Sequence, residues 1–416
     1  MLYLLRNAWA LLIGMLLLMI GNGVQGTLLG IRGSIEGFPP NIMAYLMSAY
    51  MIGMLIGSQI APILIGQVGH IRVFAALASL ISASFLGFAI IVDPLAWFAL
   101  RLLVGFCFSG VYVASESWLN EAASNENRGK AMSIYMIVQM SGILIAQVMI
   151  NFVDPSSFIL FAVISILVSV SFAPILLSVS KIPLVSTAQR MNIKGLYKAS
   201  PLGSITMVLL GGVFSLLFGM SAVYGSEKGL TVKEISLLVG SIYIAGVIFQ
   251  YPVGLISDRT DRRKLIILLS LIGFTGVLSG IIFYNNFYVV LFTFFVAGGV
   301  ANPLYSVVIA YTNDYLDQED MASAAGGLVF MSGIGGVIVP VLTGQLMDRF
   351  GPESLLFIMG LTFIIIVGYG LYRSTKRSTL DIDASTTHIA IMPQATNVAV
   401  EILQEVAIEE SLSSDK

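Results

Sequence analysis

The chain has one cysteine, Cys107, and two histidines, His70 and His388, among its 416 residues. A lone thiol excludes internal disulfides and a cysteine-held zinc, and two distant histidines offer no metal cluster, so no metal and no cofactor is expected. Charge is scarce too. Charged residues make up 11% and hydrophobic residues 57%, whereas a soluble domain carries about a quarter charged residues to wet its surface. The net charge of -2 comes without a basic block or a pattern of aromatics among Lys and Arg, which excludes nucleic acid as a partner. No nucleotide-binding loop is present, which excludes ATP as the driving force for any work the chain does.

What it has instead is long apolar runs. A mean hydropathy of +0.92 is wrong for water and right for lipid, which makes the bilayer the chain's first partner. A helix needs about 20 apolar residues to cross roughly 30 Å of hydrocarbon, because lipid offers the backbone no hydrogen-bond partner. Twelve runs qualify: 8–29, 42–65, 73–92, 95–117, 131–150, 158–177, 205–224, 235–255, 265–283, 287–310, 324–346 and 355–372. The first follows Arg6 as a signal peptide would, but it continues to Leu29 without a small-residue cleavage site and reads as a retained span.

Lys and Arg stay on the cytoplasmic side of a membrane and so orient the spans. With the N-terminus inside, sixteen of the 21 basic residues fall on the inner side, four (Arg32, Lys228, Lys233, Arg349) on the outer side, and Arg101 within a span. Both termini are therefore expected in the cytoplasm and the protein in the plasma, or inner, membrane. Residues 178–201 carry four positive charges and read as a cytoplasmic linker, a hydrated connector rather than a headgroup-binding one. Residues 373–416 are Ser/Thr-rich and then acidic, a composition that predicts a mostly disordered tail with one weak helix near its end.

The two halves, 1–177 and 202–372, read as copies. A shift of 193 positions brings Tyr112 onto Tyr305, Asn120 onto Asn313, Glu121 onto Asp314, and Ser48, Tyr50 and Gly53 onto Ser241, Tyr243 and Gly246. Parallel six-helix repeats predict a cavity between the halves near the midplane, with the halves rocking about it.

After the eighth run stands Gly254-Leu255-Ile256-Ser257-Asp258-Arg259-Thr260-Asp261-Arg262-Arg263-Lys264. Glycine, three residues, Asp-Arg and a basic cluster resemble the signature loop of the major facilitator superfamily. Arg101-Leu102-Leu103-Val104-Gly105 resembles that superfamily's Arg-x-x-x-Gly element, and Glu116-Ser117 with Asn127-Arg128-Gly129 is similar to a pattern of its YcaD-like branch. The resemblance implies the major facilitator fold, an all-α polytopic membrane protein of 12 transmembrane helices in two pseudo-symmetric six-helix bundles, with spans one, four, seven and ten lining the cavity. It also implies a latch in which Asp258 faces a helix dipole and Arg259 pairs with an acid, with Arg262 in the same cluster. The matching loop of the first half keeps Gly69 and Arg72 but has Gly66 where the acid belongs, so any latch there differs.

An ionisable residue inside the bilayer is expensive and marks function by default. Arg101 and Glu116 share the fourth run, and fifteen residues set them about 22 Å apart, too far to pair. With Gly105, Phe108, Tyr112 and Ser115 they fall on one helical face. Arg101 either holds an anionic group of a solute or organises the packing of the spans. Glu116 is either half of a gate, with Arg128 as its partner, or a proton carrier. The uncharged binding candidates are Asn22 and Gln25 in span one, Tyr112 in span four, Gln139 in span five, Tyr243 and Gln250 in span eight, and Asn302 and Tyr305 in span ten. The glycines from Gly326 to Gly336 read as close helix contact, since a phosphate cradle needs wet backbone.

The expected activity is secondary active transport of a small organic solute by alternating access, with an anionic solute favoured and the proton as candidate coupled ion. The alternative is a multidrug or metabolite efflux antiporter, and a remoter one a receptor or scaffold without transport. Efflux antiporters of the superfamily carry Gly-Pro in span five, and 140–150 contains no proline. An intramembrane enzyme would need a nucleophile and base in one cavity, and neither histidine lies mid-span, so no enzymatic activity is expected.

Overall fold

A computed structural model describes residues 2–123, 127–177 and 191–376, with 391, 393, 395–396, 398–400, 402–404 and 406. Among them every regular element is a helix: α1 (Leu2–Ile35), α2 (Pro40–Val68), α3 (His70–Ile90), α4 (Pro94–Ala122), α5 (Arg128–Met149), α6 (Ile159–Ser171), α7 (Ala173–Leu177), α8 (Ile193–Ala199), α9 (Pro201–Phe214), α10 (Ser221–Glu227), α11 (Val232–Ser257), α12 (Arg262–Ile282), α13 (Phe287–Asn313), α14 (Gln318–Phe350) and α15 (Ser354–Ser374). They supply 12 helical segments long and apolar enough to cross a membrane, matching the twelve runs.

Local chemistry explains the boundaries. Pro40, Pro94 and Pro201 open α2, α4 and α9, where the missing N–H is no loss. Asp93 accepts from the Ala96 N–H at 2.9 Å, and Asp261 caps α12 through the Arg263 N–H at 2.9 Å. Gly69 and Gly351, at φ 85° and 91°, end α2 and α14 in the left-handed region that favours glycine. The seventh span departs from a plain helix. Between α9 and α10, Ser215–Met220 form a π-turn, and the Ser215 hydroxyl donates to the Gly336 carbonyl at 2.8 Å.

The chain forms two compact units. The first holds Met1–Thr187, Gly219–Ser236 and Thr396–Ile402; the second holds Ala188–Phe218, Leu237–Ala395 and Leu403–Lys416. In the first, α2 lies so close to α4 that a Cβ on Gly105 would overlap the Tyr50 carbonyl. Helix α10 packs on α1, where a Cβ on Gly30 would stand 2.7 Å from that of Ala222. The loop before α6 is clasped to α1: Arg32 donates to the Pro155 carbonyl at 3.4 Å and to that of Ser156, while pairing with Glu36 at 2.5 Å. Beside it, hydrogen bonds from Ser156 hold the Asp154 carboxyl below the usual carboxylate range. In the second unit, a Cβ on Gly335 of α14 would overlap the Val208 carbonyl of α9, so the span-eleven glycines serve helix contact.

Two segments assigned outside the spans make contacts of their own. Of the linker, 178–190 lie outside the described residues; α8 follows, Leu196 is fully buried, and the Met191 N–H donates to the Ser323 carbonyl at 3.0 Å. Of the tail, 377–390 and 407–416 lie outside the described residues. Ile391, Thr396, Ala399, Val400, Ile402 and Leu403 are buried, with helical backbone at 398–400 and 402–404.

Candidate functional site

In the first unit the polar groups of α1, α2 and α4 form one connected cluster. Arg101 is 4% exposed. Its Nε donates to the Leu46 carbonyl at 3.3 Å, its Nη2 meets the Met47 sulfur at 3.0 Å, and its guanidinium carbon lies 4.6 Å from the centre of the Tyr50 ring. No carboxylate pairs with it among the described residues. A buried charge is normally held by an opposite one; here a carbonyl dipole, a soft sulfur and an aromatic face replace it, the last worth up to about 2 kcal/mol when desolvated.

Tyr50 extends the cluster. Its hydroxyl is hydrogen-bonded by the Asn22 side chain, Asn22 Nδ2 donates to the Tyr112 hydroxyl at 3.2 Å, and that hydroxyl meets the Met19 sulfur at 3.5 Å. Phe108 packs between the tyrosines, with ring centres 6.4 Å from Tyr50 and 5.9 Å from Tyr112. One turn along α1 from Asn22, Gln25 is fully buried, and neither its oxygen nor its nitrogen has a partner among the described residues. Such a group costs about 1–3 kcal/mol unless water or a ligand satisfies it.

The structure thus connects Arg101, Asn22 and Tyr112, and adds Tyr50, which the sequence reading had not singled out. A signal was there: Tyr50 is the mate of the candidate Tyr243 at the 193-residue offset. Gln139, 6% exposed, lies beside the Tyr135 hydroxyl.

Glu116, 1% exposed, sits fifteen residues along α4 from Arg101. Its carboxylate accepts from the Thr396 hydroxyl, from the Thr396 N–H at 3.5 Å, and from the Ala399 N–H. Arg128 opens α5 and is half-buried.

In the second unit, Tyr243 and Tyr305 stand among aromatic rings. Phe214 stacks on Phe218 at 5.8 Å, Phe218 on Tyr243 at 4.8 Å, and Phe214 meets Tyr305 edge-on at 5.8 Å. The fully buried Tyr305 hydroxyl has no partner among the described residues. Gln250 Nε2 donates to the Ser306 hydroxyl at 2.9 Å, and Asn302 donates to the Gly298 carbonyl of its own helix at 2.8 Å while packing on Gly246.

At the start of α12, Arg262 forms ion pairs. Arg262, 3% exposed, pairs with Asp314 at 2.5 Å and Asp258 at 3.5 Å, and donates to Ser257 Oγ and the Ala310 carbonyl, each at 3.3 Å. Arg259 is exposed. The acid pairing expected of Arg259 is therefore made by Arg262, because Asp261 caps α12 and turns its first residues toward α13.

This fold, with charge sparse and localised inside apolar helices, defines a polytopic membrane carrier. The chain belongs to the Major Facilitator Superfamily, whose family model matches residues 11–233 and 202–399. It is 25% identical over 366 residues to an uncharacterized MFS-type transporter of Yersinia pestis, covering 87% of this chain and 94% of that one. It is 24% identical over 376 residues to the uncharacterized MFS-type transporter YcaD of Escherichia fergusonii, covering 90% and 97%, as the resemblance to that branch implied. Among solved structures, the nucleoside transporter NupG superposes with a TM-score of 0.75 at 13% identity, covering 88% of this chain and 98% of that one. A bacterial homologue of the human lysosomal transporter Spinster, in an inward-facing and unoccupied conformation, gives 0.67 at 13% identity, covering 100% and 98%. These likenesses place the fold and leave the solute open.

Proposed function

We propose that the chain is a secondary transporter of the plasma membrane, both termini cytoplasmic, that moves a small organic solute bearing an anionic group and hydrogen-bonding groups by alternating access. The observation that carries this reading is Arg101: a buried guanidinium with no carboxylate on it among the described residues, joined through Tyr50 and Asn22 to Tyr112. Guanidinium groups bind carboxylate and phosphate with two parallel hydrogen bonds. The amide of Gln25, without a partner among the described residues and one turn from Asn22, supplies a donor and an acceptor for the rest of the solute. Bilayer embedding and a small-molecule partner follow from the family; the anionic preference is the proposal.

A screen of organic anions by thermal stabilisation of the purified chain tests it, because a ligand that binds the folded state raises its stability by mass action. Hits should lose their effect with Arg101→Ala and then be carried by the wild-type chain in liposomes. If the hits are cations or neutral apolar compounds, and Arg101→Ala leaves them unchanged, the reading fails.

Proton coupling belongs to the same proposal and rests on Glu116, a carboxylate 1% exposed within span four. With Glu116→Gln, uptake should lose its dependence on a pH gradient while solute exchange persists. Retained gradient dependence removes Glu116 from that role.

A further inference from the structure

Several buried polar groups hydrogen-bond to the chain's own tail. Among the described residues, the hydrogen bonds to Glu116 come from the tail: the Thr396 hydroxyl and N–H and the Ala399 N–H. Within the second unit, Ser306 hydrogen-bonds both main-chain groups of Ile391, accepting from its N–H and donating to its carbonyl, each at 2.9 Å. That serine is also the partner of Gln250. Gln404 donates to Asn313 at 3.5 Å. The tail buries apolar side chains as well, with Ala399 and Val400 at 0% exposure and Ile391 and Ile402 at 3%.

We propose that the segment beginning at Thr396 is a built-in ligand of Glu116, an autoinhibitory contact that must leave before this carboxylate can meet a proton, water or solute. A carboxylate buried without a cation is costly unless its oxygens are hydrogen-bonded, and the tail supplies those bonds. A Thr hydroxyl and main-chain N–H groups are all donors, the one polarity a carboxylate accepts. Tethering keeps the segment at an effective concentration on the order of millimolar, so docking needs little intrinsic affinity. A solute that binds only the tail-free state then shows an affinity weakened by the fraction of tail-free chains. The docking stands on geometry; its inhibitory consequence rests on the transport reading above, and the two fail separately.

The test uses the full-length chain with Cys107→Ser, which removes the lone and buried thiol, and Ala399→Cys as reporter. N-ethylmaleimide should label position 399 at least about tenfold more slowly than a reference cysteine at the exposed Thr375. Glu116→Ala should abolish most of that protection, and Thr396→Val, which leaves the carboxylate in place, should abolish part of it. Equal labelling at 399 and 375 in a monodisperse parent overturns the proposal and leaves the transport reading intact. Protection that survives both Glu116→Ala and Thr396→Val overturns Glu116 as the anchor. With the anion selected by the thermal screen as probe, Thr396→Val should tighten apparent affinity about threefold or more. Faster labelling with unchanged affinity overturns the inhibition and leaves the docking.

Discussion

Where the first unit carries Arg101 in α4, the second carries Phe294 in α13 at the equivalent position, 193 residues on, and Phe294 is fully buried. Glu116 is likewise matched by Ile309. Around these differences the frame is shared. Gly105 and Gly298 are mates, and each lets its helix approach a neighbour closely: a Cβ on Gly105 would overlap the Tyr50 carbonyl, and one on Gly298 would sit 2.8 Å from the Ile242 carbonyl. Tyr50 and Tyr243 are mates as well, the first under a guanidinium and the second stacked on Phe218. Duplication has kept the backbone contacts and changed the chemistry mounted on them. The first unit offers charge and hydrogen bonds, and the second offers aromatic faces. At the matching loops the contrast runs the other way: Arg262 pairs with Asp314 and Asp258 in the second unit, while the first has Gly66 in place of the acid.

The largest expected effect is on the cation itself. Arg101→Ala should lower flux about a hundredfold, the scale of truncating a buried charged group that binds a counter-charge, about 2–5 kcal/mol. Phe294→Leu should lower thermal stability and hold flux within about threefold. Comparable losses in liposome flux from the two, at equal insertion, would break the division of chemistry between the units.

The shared frame comes next. Gly105→Val and Gly298→Val should each destabilise the folded chain by about 1–3 kcal/mol, as overpacking does in a close-packed interior, read as a lower unfolding midpoint. A tolerated valine at either place would mean that the close approach is not conserved between the halves in energetic terms.

Asp314→Asn removes the nearer of the two acids described beside Arg262, which is 3% exposed. Maleimide labelling of cysteines placed along α13 should change about tenfold as the balance of conformations shifts, whereas Arg259→Gln should change little. If Arg259→Gln gives the larger shift, the assignment of the pair to Arg262 is wrong.

The smallest effect separates the two tyrosines. Tyr50→Phe removes the hydroxyl that Asn22 binds, worth about 1 kcal/mol, and should weaken solute binding several-fold. Tyr243→Phe keeps its ring on Phe218 and should stay within about twofold. Titration of the selected anion against both variants decides this.

Much of this was readable in order along the chain. Hydropathy gave the twelve spans because lipid leaves a crossing backbone no choice but the helix. Helical phase put Asn22 and Gln25 on one side of α1, and Arg101 and Tyr112 on one face of α4. Other features were not readable for definite reasons. The break of span seven at Ser215–Met220 leaves no proline or charge in the sequence. Which of Arg259 and Arg262 pairs with the acid depends on where Asp261 starts α12, a matter of one turn of phase. Tyr50 was visible only as the mate of Tyr243, and its value comes from a guanidinium 51 positions later.

By itself, then, the order of residues determined that this is a helical membrane protein made of two related halves, with one cation inside span four. Those properties arise from local periodicity and from the solvent, and both are written in neighbouring residues. Only the tertiary structure decided what stands beside that cation, which arginine closes the second unit's ion pairs, and that Glu116 meets Thr396, 280 positions away. Such contacts depend on how side chains from distant helices meet, and no spacing along the chain encodes that.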